Sequence, residues 1–258
     1  SPNADTWADF CSQFCARLDI SLDVQVVTVD PKSGQGIEAA ARQARYAAFS
    51  NYAAPTVFLA HHQGDQAETV LFNLLRGAGV AGAAGMVDER TQGDIRILRP
   101  LLNVPRSALE SYAVAHQLSW IDDESNADTK FTRNFLRHDV LTVISQRFPA
   151  AEQNLAQAAG HFSEAAALLD VFAEEDWQKV RDGETLNLRR LRLLGAVRIK
   201  NLLRYRLRQM AWQTPVAARL EEFVRQLLSA APDRHPELKL DKGLMRIAKG
   251  QLSWITQK

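Results

Sequence analysis

The chain has 258 residues, 46% of them hydrophobic, enough to bury a genuine core in one large domain or two ordinary ones and to exclude disorder as its main state. Lys plus Arg at 31 against Asp plus Glu at 30 leave a net charge of +1, so the chain is neither a polyanion mimic nor a uniformly basic coat, and any nucleic-acid surface must be local. No run approaches the roughly 18 apolar residues that a bilayer crossing needs, so no membrane partner is expected and a cytoplasmic location is.

Trp7, Phe10, Cys11, Phe14, Cys15 and Leu18 recur at intervals of three and four, which predicts an amphipathic helix over residues 4–18. Its two cysteines read as buried thiols, since their spacing suits neither a disulfide framework nor a four-ligand zinc site. Residues 23–29, β-branched and roughly alternating, predict a strand, and a turn from Gly34 to Gly36 separates it from an Ala-rich helix over 37–52. Residues 55–60 form a short continuous apolar run, as expected of a strand covered on both faces. A helix over 65–76, a strand over 95–98 and a helix opened by Pro105 and ending near Gln117 follow. This alternation argues for an α/β domain with a parallel sheet over residues 1–147. The pattern opens on a helix, whereas nucleotide-binding α/β domains usually open with a strand, a glycine-rich loop and a helix, so the chain reads as a fragment or as an unusual domain.

After residue 150 the composition shifts, first to Ala-rich helix and then to Leu/Arg-rich helices, and it ends in short alternating apolar stretches. A linking helix over 148–185 and a small second α+β domain over 186–258 are expected. Between Lys179 and Arg208 lie ten basic residues against two acids, Asp182 and Glu184. Such a run is either a solvated helix face or a local nucleic-acid surface, and Arg198, Lys200, Arg204, Arg206 and Arg208 are the candidate contacts.

Chemistry is most concentrated in the string His61-His62-Gln63-Gly64-Asp65-Gln66-Ala67-Glu68-Thr69, where a strand would hand over to a helix and ligands of open α/β sheets bind. Asp65 and Glu68 share one face of the first helical turn and could hold a magnesium ion or a cationic amine. Equally, they could only complement the helix dipole, with Asp65 as a cap. Arg42 and Arg45, on the preceding helix, could reach a phosphate or carboxylate at the same edge. Gly77 to Gly82 match G-x-G-x-x-G but follow a helix, so they predict a helix end and a mobile flap, with Arg76 beside it. Arg133 and Arg137, at i and i+4, would contact phosphate or pair with Asp122, Asp123 or Asp128 to pin the acidic loop before them.

Together these strings resemble the tRNA(Ile)-lysidine synthases, a family of N-type ATP pyrophosphatases. The matching pieces are Ser1 to Trp7, Gly36 to Tyr46, His62 to Thr69, Arg76 to Gly79 with Gly85-Met86, Arg99 to Leu102 and Asp123 to Arg137, in the family's order. Residues 186–258 resemble, more loosely, its first tRNA-contacting C-terminal domain. The resemblance implies a Rossmann-like PP-loop domain over 1–147, ATP and Mg2+ as cofactors, and L-lysine and tRNA(Ile) with a CAU anticodon as partners, with a homodimer possible. It implies that ATP adenylates the C2 oxygen of the wobble cytidine and that the lysine ε-amine then displaces AMP. By position, Arg42, Asp65 and Glu68 match catalytic and lysine-site residues, with Asp65 the metal ligand, while His62, Arg133 and Arg137 match positions near the nucleotide or flipped base. Two departures stand out: the family's Ser-Gly-Gly-x-Asp-Ser loop is absent, and Gly64 stands where the family usually has Asp. They leave a catalytically inactive tRNA-binding protein as the alternative expectation.

Overall fold

The computed structural model describes residues 3–29, 36–52, 55–231 and 234–256. The start of the first matching string, Ser1-Pro2, and Gly34 of the expected turn lie outside the described residues.

The first half alternates helix and strand as its periodicity requires: α1 (Ala4–Arg17), α2 (Ile37–Ser50), β1 (Thr56–Phe58), α3 (Gln63–Leu75), α4 (Val80–Ala83), β2 (Glu89–Gln92), β3 (Ile95–Leu98) and α5 (Arg106–Ala115). A 3-10 turn (Glu124–Ala127), α6 (Thr132–Phe135), a π-helical stretch (Leu136–Leu141) and α7 (Thr142–Arg147) follow. β1 runs parallel to β3 and β3 antiparallel to β2, in the order β1-β3-β2. The sheet is therefore mixed and not all parallel, because β2 and β3 form a hairpin turning at Gly93, whose φ of +58° lies in the left-handed region. Tyr46, Ile95 and Ile97 pack together in its core with Phe49, Val57 and Leu59.

Three sequence expectations change here. Residues 23–29 form no strand: a β-branched run becomes one only when a neighbour supplies the ladder, none does among the described residues, and Val26 is 96% exposed. β1 is not covered on both faces, with Phe58 67% exposed, and among the described residues it lies at a sheet edge. The thiols are not buried: Cys11 is exposed and Cys15 half-buried, because the apolar stripe of α1 lies along a shallow groove with Trp120 and Ile121 and enters no core.

The chain divides into two compact units, residues 1–161 and 162–258, the division falling within the 30-residue helix α8 (Ala151–Val180). The second unit continues with β4 (Arg181–Asp182), β5 (Thr185–Asn187), α9 (Leu188–Leu193), α10 (Gly195–Gln209), α11 (Ala217–Ser229), β6 (Glu237–Lys239), β7 (Gly243–Ala248) and β8 (Gln251–Thr256). Its strands make an antiparallel sheet in the order β4-β5-β8-β7-β6. Leu220, Phe223, Val224 and Leu227 bury one stripe of α11, and Ile199, Leu202, Leu203 and Leu207 one stripe of α10. Both stripes join Trp177, Met245, Ile247 and Leu252 in a single core, each fully buried leucine contributing about 1.5–3 kcal/mol. Gly243 is required by close approach: a Cβ there would stand 2.1 Å from the Ile255 carbonyl oxygen. Among the described residues no helix is long and apolar enough to cross a membrane.

Candidate functional site

The chain leaves β1 through Leu59, whose N–H donates to Leu98 O at 2.8 Å, and reaches His61 and His62 at the start of α3. His62 is the N-cap: its Nδ1 accepts from Gly64 N at 3.1 Å, while its own N–H donates to Asp65 Oδ2 at 2.9 Å, closing a capping box. The imidazole is thereby engaged by the helix end. Asp65 is a cap, as the bland alternative held, but its second oxygen does other work.

Arg137, on the π-helical stretch, donates Nε to Glu68 Oε1 at 2.5 Å and Nη2 to Glu68 Oε2 at 3.1 Å, and Nη2 also reaches Asp65 Oδ1 at 3.3 Å. One cation thus bridges the two carboxylates. The expected pairing of Arg137 with Asp122, Asp123 or Asp128 does not describe this geometry. Those loop acids do other things, Asp123 capping the 3-10 turn through Ser125 N at 2.8 Å. Arg133, one turn earlier, donates to Thr69 Oγ1 at 3.4 Å, so both arginines address α3. Glu68 is only 2% exposed, and burial pushes its pKa up against the opposing pull of Arg137.

A magnesium ion at Asp65 would have to share that carboxylate with Arg137 and take its other ligands from phosphate and water. Both oxygens of Asp65 are bonded, one by a backbone N–H and one by a guanidinium, and no group of three His, Cys, Asp or Glu among the described residues could hold a metal ion.

Beside the carboxylate pair lies a cavity of about 580 Å³ with the opposite character. Arg42, Arg76, Arg90, Arg99, Lys130 and Arg133 line it together with Thr69, Asn73, Phe72 and Phe131, and no acidic side chain among the described residues does. Burial lowers the pKa of Arg42, and the neighbouring charges of Arg90, Arg133 and Arg45 lower it further. Arg42, Arg133 and the Glu68 turn are thus brought to one place, as the sequence placed them, whereas Arg198, Lys200, Arg204, Arg206 and Arg208 belong to the second unit.

The glycine-rich segment after α3 is not a loose flap. Gln66, 5% exposed, donates Nε2 to Met86 O and accepts from Met86 N, both at 2.8 Å, and Asn73 Nδ2 donates to Gly82 O at 2.7 Å. Gly85, at φ +66°, lies so close that a Cβ would meet Gln66 Oε1 at 2.7 Å. Gly64 is also crowded: a Cβ there would stand 3.0 Å from His62 Cε1 and 3.4 Å from Glu152 Oε2, so a carboxylate at this position would press on the cap and face a second carboxylate.

The sequence reading gave no individual role to four residues here. His61 has a buried Nδ1 without a partner, and burial, with Arg99, Arg45 and Arg133 adding to it, lowers its pKa to about 4, so the ring is neutral at pH 7. Its place at the exit of β1 was the signal. Gln66, Arg90 and Arg99 carried none, since their roles depend on partners that only folding brings near.

In the second unit three of the five candidate contacts are ion-paired. Arg198 pairs with Asp176, Arg208 with Asp170 and Lys200 with Glu221 at 3.1 Å. Arg206 lies 3.7 Å above the ring of Trp177. Of the five, Arg204 and Arg206 make no ion pair with a described residue.

Residues 1–144 match the family of the PP-loop domain, and residues 186–253 match that of the TilS substrate binding domain. Over 252 residues the chain is 42% identical to the tRNA(Ile)-lysidine synthase of Nitrosomonas europaea, covering 96% of this chain and 55% of that protein. To the enzyme of the same name from Aromatoleum aromaticum it is 48% identical over 227 residues, 88% of this chain and 53% of that one. To that of Burkholderia pseudomallei it is 43% identical over 264 residues, 98% and 54% respectively. The chain thus spans about half the length of the curated relatives it matches.

Proposed function

The chain belongs to the PP-loop domain family, and from that premise we propose that it carries part of an ATP-dependent ligase that joins L-lysine to C2 of the wobble cytidine of tRNA(Ile) with a CAU anticodon. The observation that carries this reading is the pairing of opposites on α3. Asp65 and Glu68 hold a cation at 2.5–3.3 Å, next to a cavity that six cations line with no acid among the described residues. A ligase joining an amine to an adenylated nucleic acid needs both environments in contact.

The C2 oxygen of cytosine is a poor leaving group until it attacks the α-phosphate of ATP and expels pyrophosphate, and cationic side chains such as Arg42 and Arg133 favour the charge that develops there. The lysine ε-ammonium is held by carboxylates but attacks only after losing a proton. Glu68, its pKa raised by burial, is suited to accept it, and the neutral ring of His61 offers a second unbonded acceptor beside Asp65. The neutral amine then adds at C2 and AMP leaves with the oxygen. For the lysine ammonium to enter, the guanidinium of Arg137 must yield part of its hold on the carboxylates. No step is assigned to a metal ion at Asp65.

The test uses the full-length protein with a tRNA(Ile) transcript bearing CAU, ATP and radiolabelled lysine. The expected result is label in the tRNA, and a Glu68→Gln variant at least about 100-fold slower that still accumulates adenylated tRNA. A wild-type protein that leaves the tRNA unlabelled would refute the reading.

A further inference from the structure

Four arginines of the first unit gather near one phenol. The Tyr46 ring has the guanidinium carbons of Arg42, Arg45 and Arg90 at 5.1, 5.9 and 5.0 Å from its centroid, and its hydroxyl accepts from Arg42 Nη2 at 3.4 Å. Arg99 lines the same cavity as Arg42 and Arg90, only 3% exposed, with Nη1 donating to Val87 O at 2.7 Å. Among the described residues none of the four makes an ion pair with a carboxylate. The Nε atoms of Arg90 and Arg99 are both buried and unbonded.

A buried donor without an acceptor is costly, more so when it is charged, and like charges packed together add to that cost. Among the described residues no carboxylate is ion-paired with the cluster as Glu68 is with Arg137. An arrangement that is unfavourable empty becomes favourable when an anion fills it. A single carboxylate would be satisfied by one bidentate guanidinium, whereas several guanidinium groups with separate open donors match an anion with three acceptor oxygens.

We propose that Arg90 and Arg99, together with Arg42, form a subsite in this cavity for one phosphate group. The site itself follows from the cluster; only the owner of the phosphate, ATP or the tRNA backbone, rests on the proposed function. Arg90 is the residue to vary, because it is half-buried and its only hydrogen bond to another described side chain, from Nη2 to Gln92 at 2.8 Å, lies on an exposed hairpin.

In the full-length protein, inorganic pyrophosphate binding is measured by calorimetry, and the KM values for ATP and tRNA by lysine incorporation, for wild type, Arg90→Gln and Arg90→Lys. Arg246→Gln, in the second unit, is the control. The expected result is a loss of tenfold or more in pyrophosphate affinity or in one KM for Arg90→Gln at an unchanged melting temperature, with a smaller loss for Arg90→Lys, which keeps the charge. A raised KM for ATP alone assigns the phosphate to the nucleotide, and a raised KM for tRNA alone assigns it to the RNA backbone. If Arg90→Gln is misfolded, the comparison is made on Arg90→Lys. Unchanged pyrophosphate affinity together with both KM values unchanged overturns the subsite. A wild-type protein whose pyrophosphate binding depends on Arg90 but which makes no lysidine leaves the subsite standing and removes the proposed function. Lysidine formation with pyrophosphate affinity and both KM values indifferent to Arg90 does the reverse.

Discussion

Glu68 shows what one side chain can decide. Its carboxylate is 3% exposed and would be an intolerable buried charge were Arg137 not on it at 2.5 Å. Burial nevertheless leaves its pKa raised, so the folded protein holds that proton more tightly than the unfolded chain does. Its ionisation therefore removes stability as pH rises from the unfolded value, about 4.3, through the higher folded one. Removing the guanidinium should widen that window: Arg137→Ala is expected to cost about 3 kcal/mol near pH 7 and much less near pH 4. Urea unfolding across that range measures it. The double variant with Glu68→Gln should lose the added pH dependence, and a cost independent of pH would show that Arg137 acts only through packing. His61 runs the other way. Its pKa falls to about 4, below the unfolded value of about 6.5, so its contribution is present above the unfolded value and is lost as pH falls towards 4.

At the scale of elements, α3 was legible and what it holds was not. The apolar spacing of Val70, Leu71, Leu74 and Leu75 and the acids of its first turn predicted the helix, and the cap moved its start only to Gln63. β2 escaped because its sequence, Glu-Arg-Thr-Gln, has no apolar face and forms only by pairing with β3. Residues 23–29 failed in the opposite sense, having the propensity of a strand and no partner for it among the described residues. The glycine-rich segment was misjudged because glycine reads as freedom, whereas Gly85 is there to admit the amide of Gln66. That amide acts on Met86 as a strand neighbour would, completing both a donor and an acceptor. Gln66→Ala should leave both backbone groups without their partner at a cost of about 1–3 kcal/mol, and raise hydrogen exchange at the Met86 amide about tenfold or more. Because Met86 and Val87 line the cavity, the KM for the substrate bound there should rise more than kcat falls. Unaltered protection at Met86 would show that the segment holds its shape without the clamp.

Across the whole molecule, charge read along the chain and charge read in space disagree, and the second decides where RNA can bind. Ten bases against two acids between Lys179 and Arg208 looked like a single-signed surface. The acids that answer Arg208, Arg198 and Lys200, namely Asp170, Asp176 and Glu221, are 21 to 38 residues away from their partners in sequence and invisible to any local count. Arg198 holds Asp176, which is fully buried, so Arg198→Ala should lower the melting temperature before it says anything about RNA. Arg204, which makes no ion pair with a described residue, is the cleaner probe among the five proposed contacts. If it meets a phosphate of the tRNA, Arg204→Ala should reduce the slope of log affinity against log salt by about one, at an unchanged melting temperature. Arg208→Ala should change the slope less, because Asp170 already neutralises that side chain in the free protein. Equal slopes for wild type and Arg204→Ala in filter-binding titrations would place the RNA-binding surface of this unit away from α10, leaving Arg181, Arg189 and Arg190 as the next cations to test.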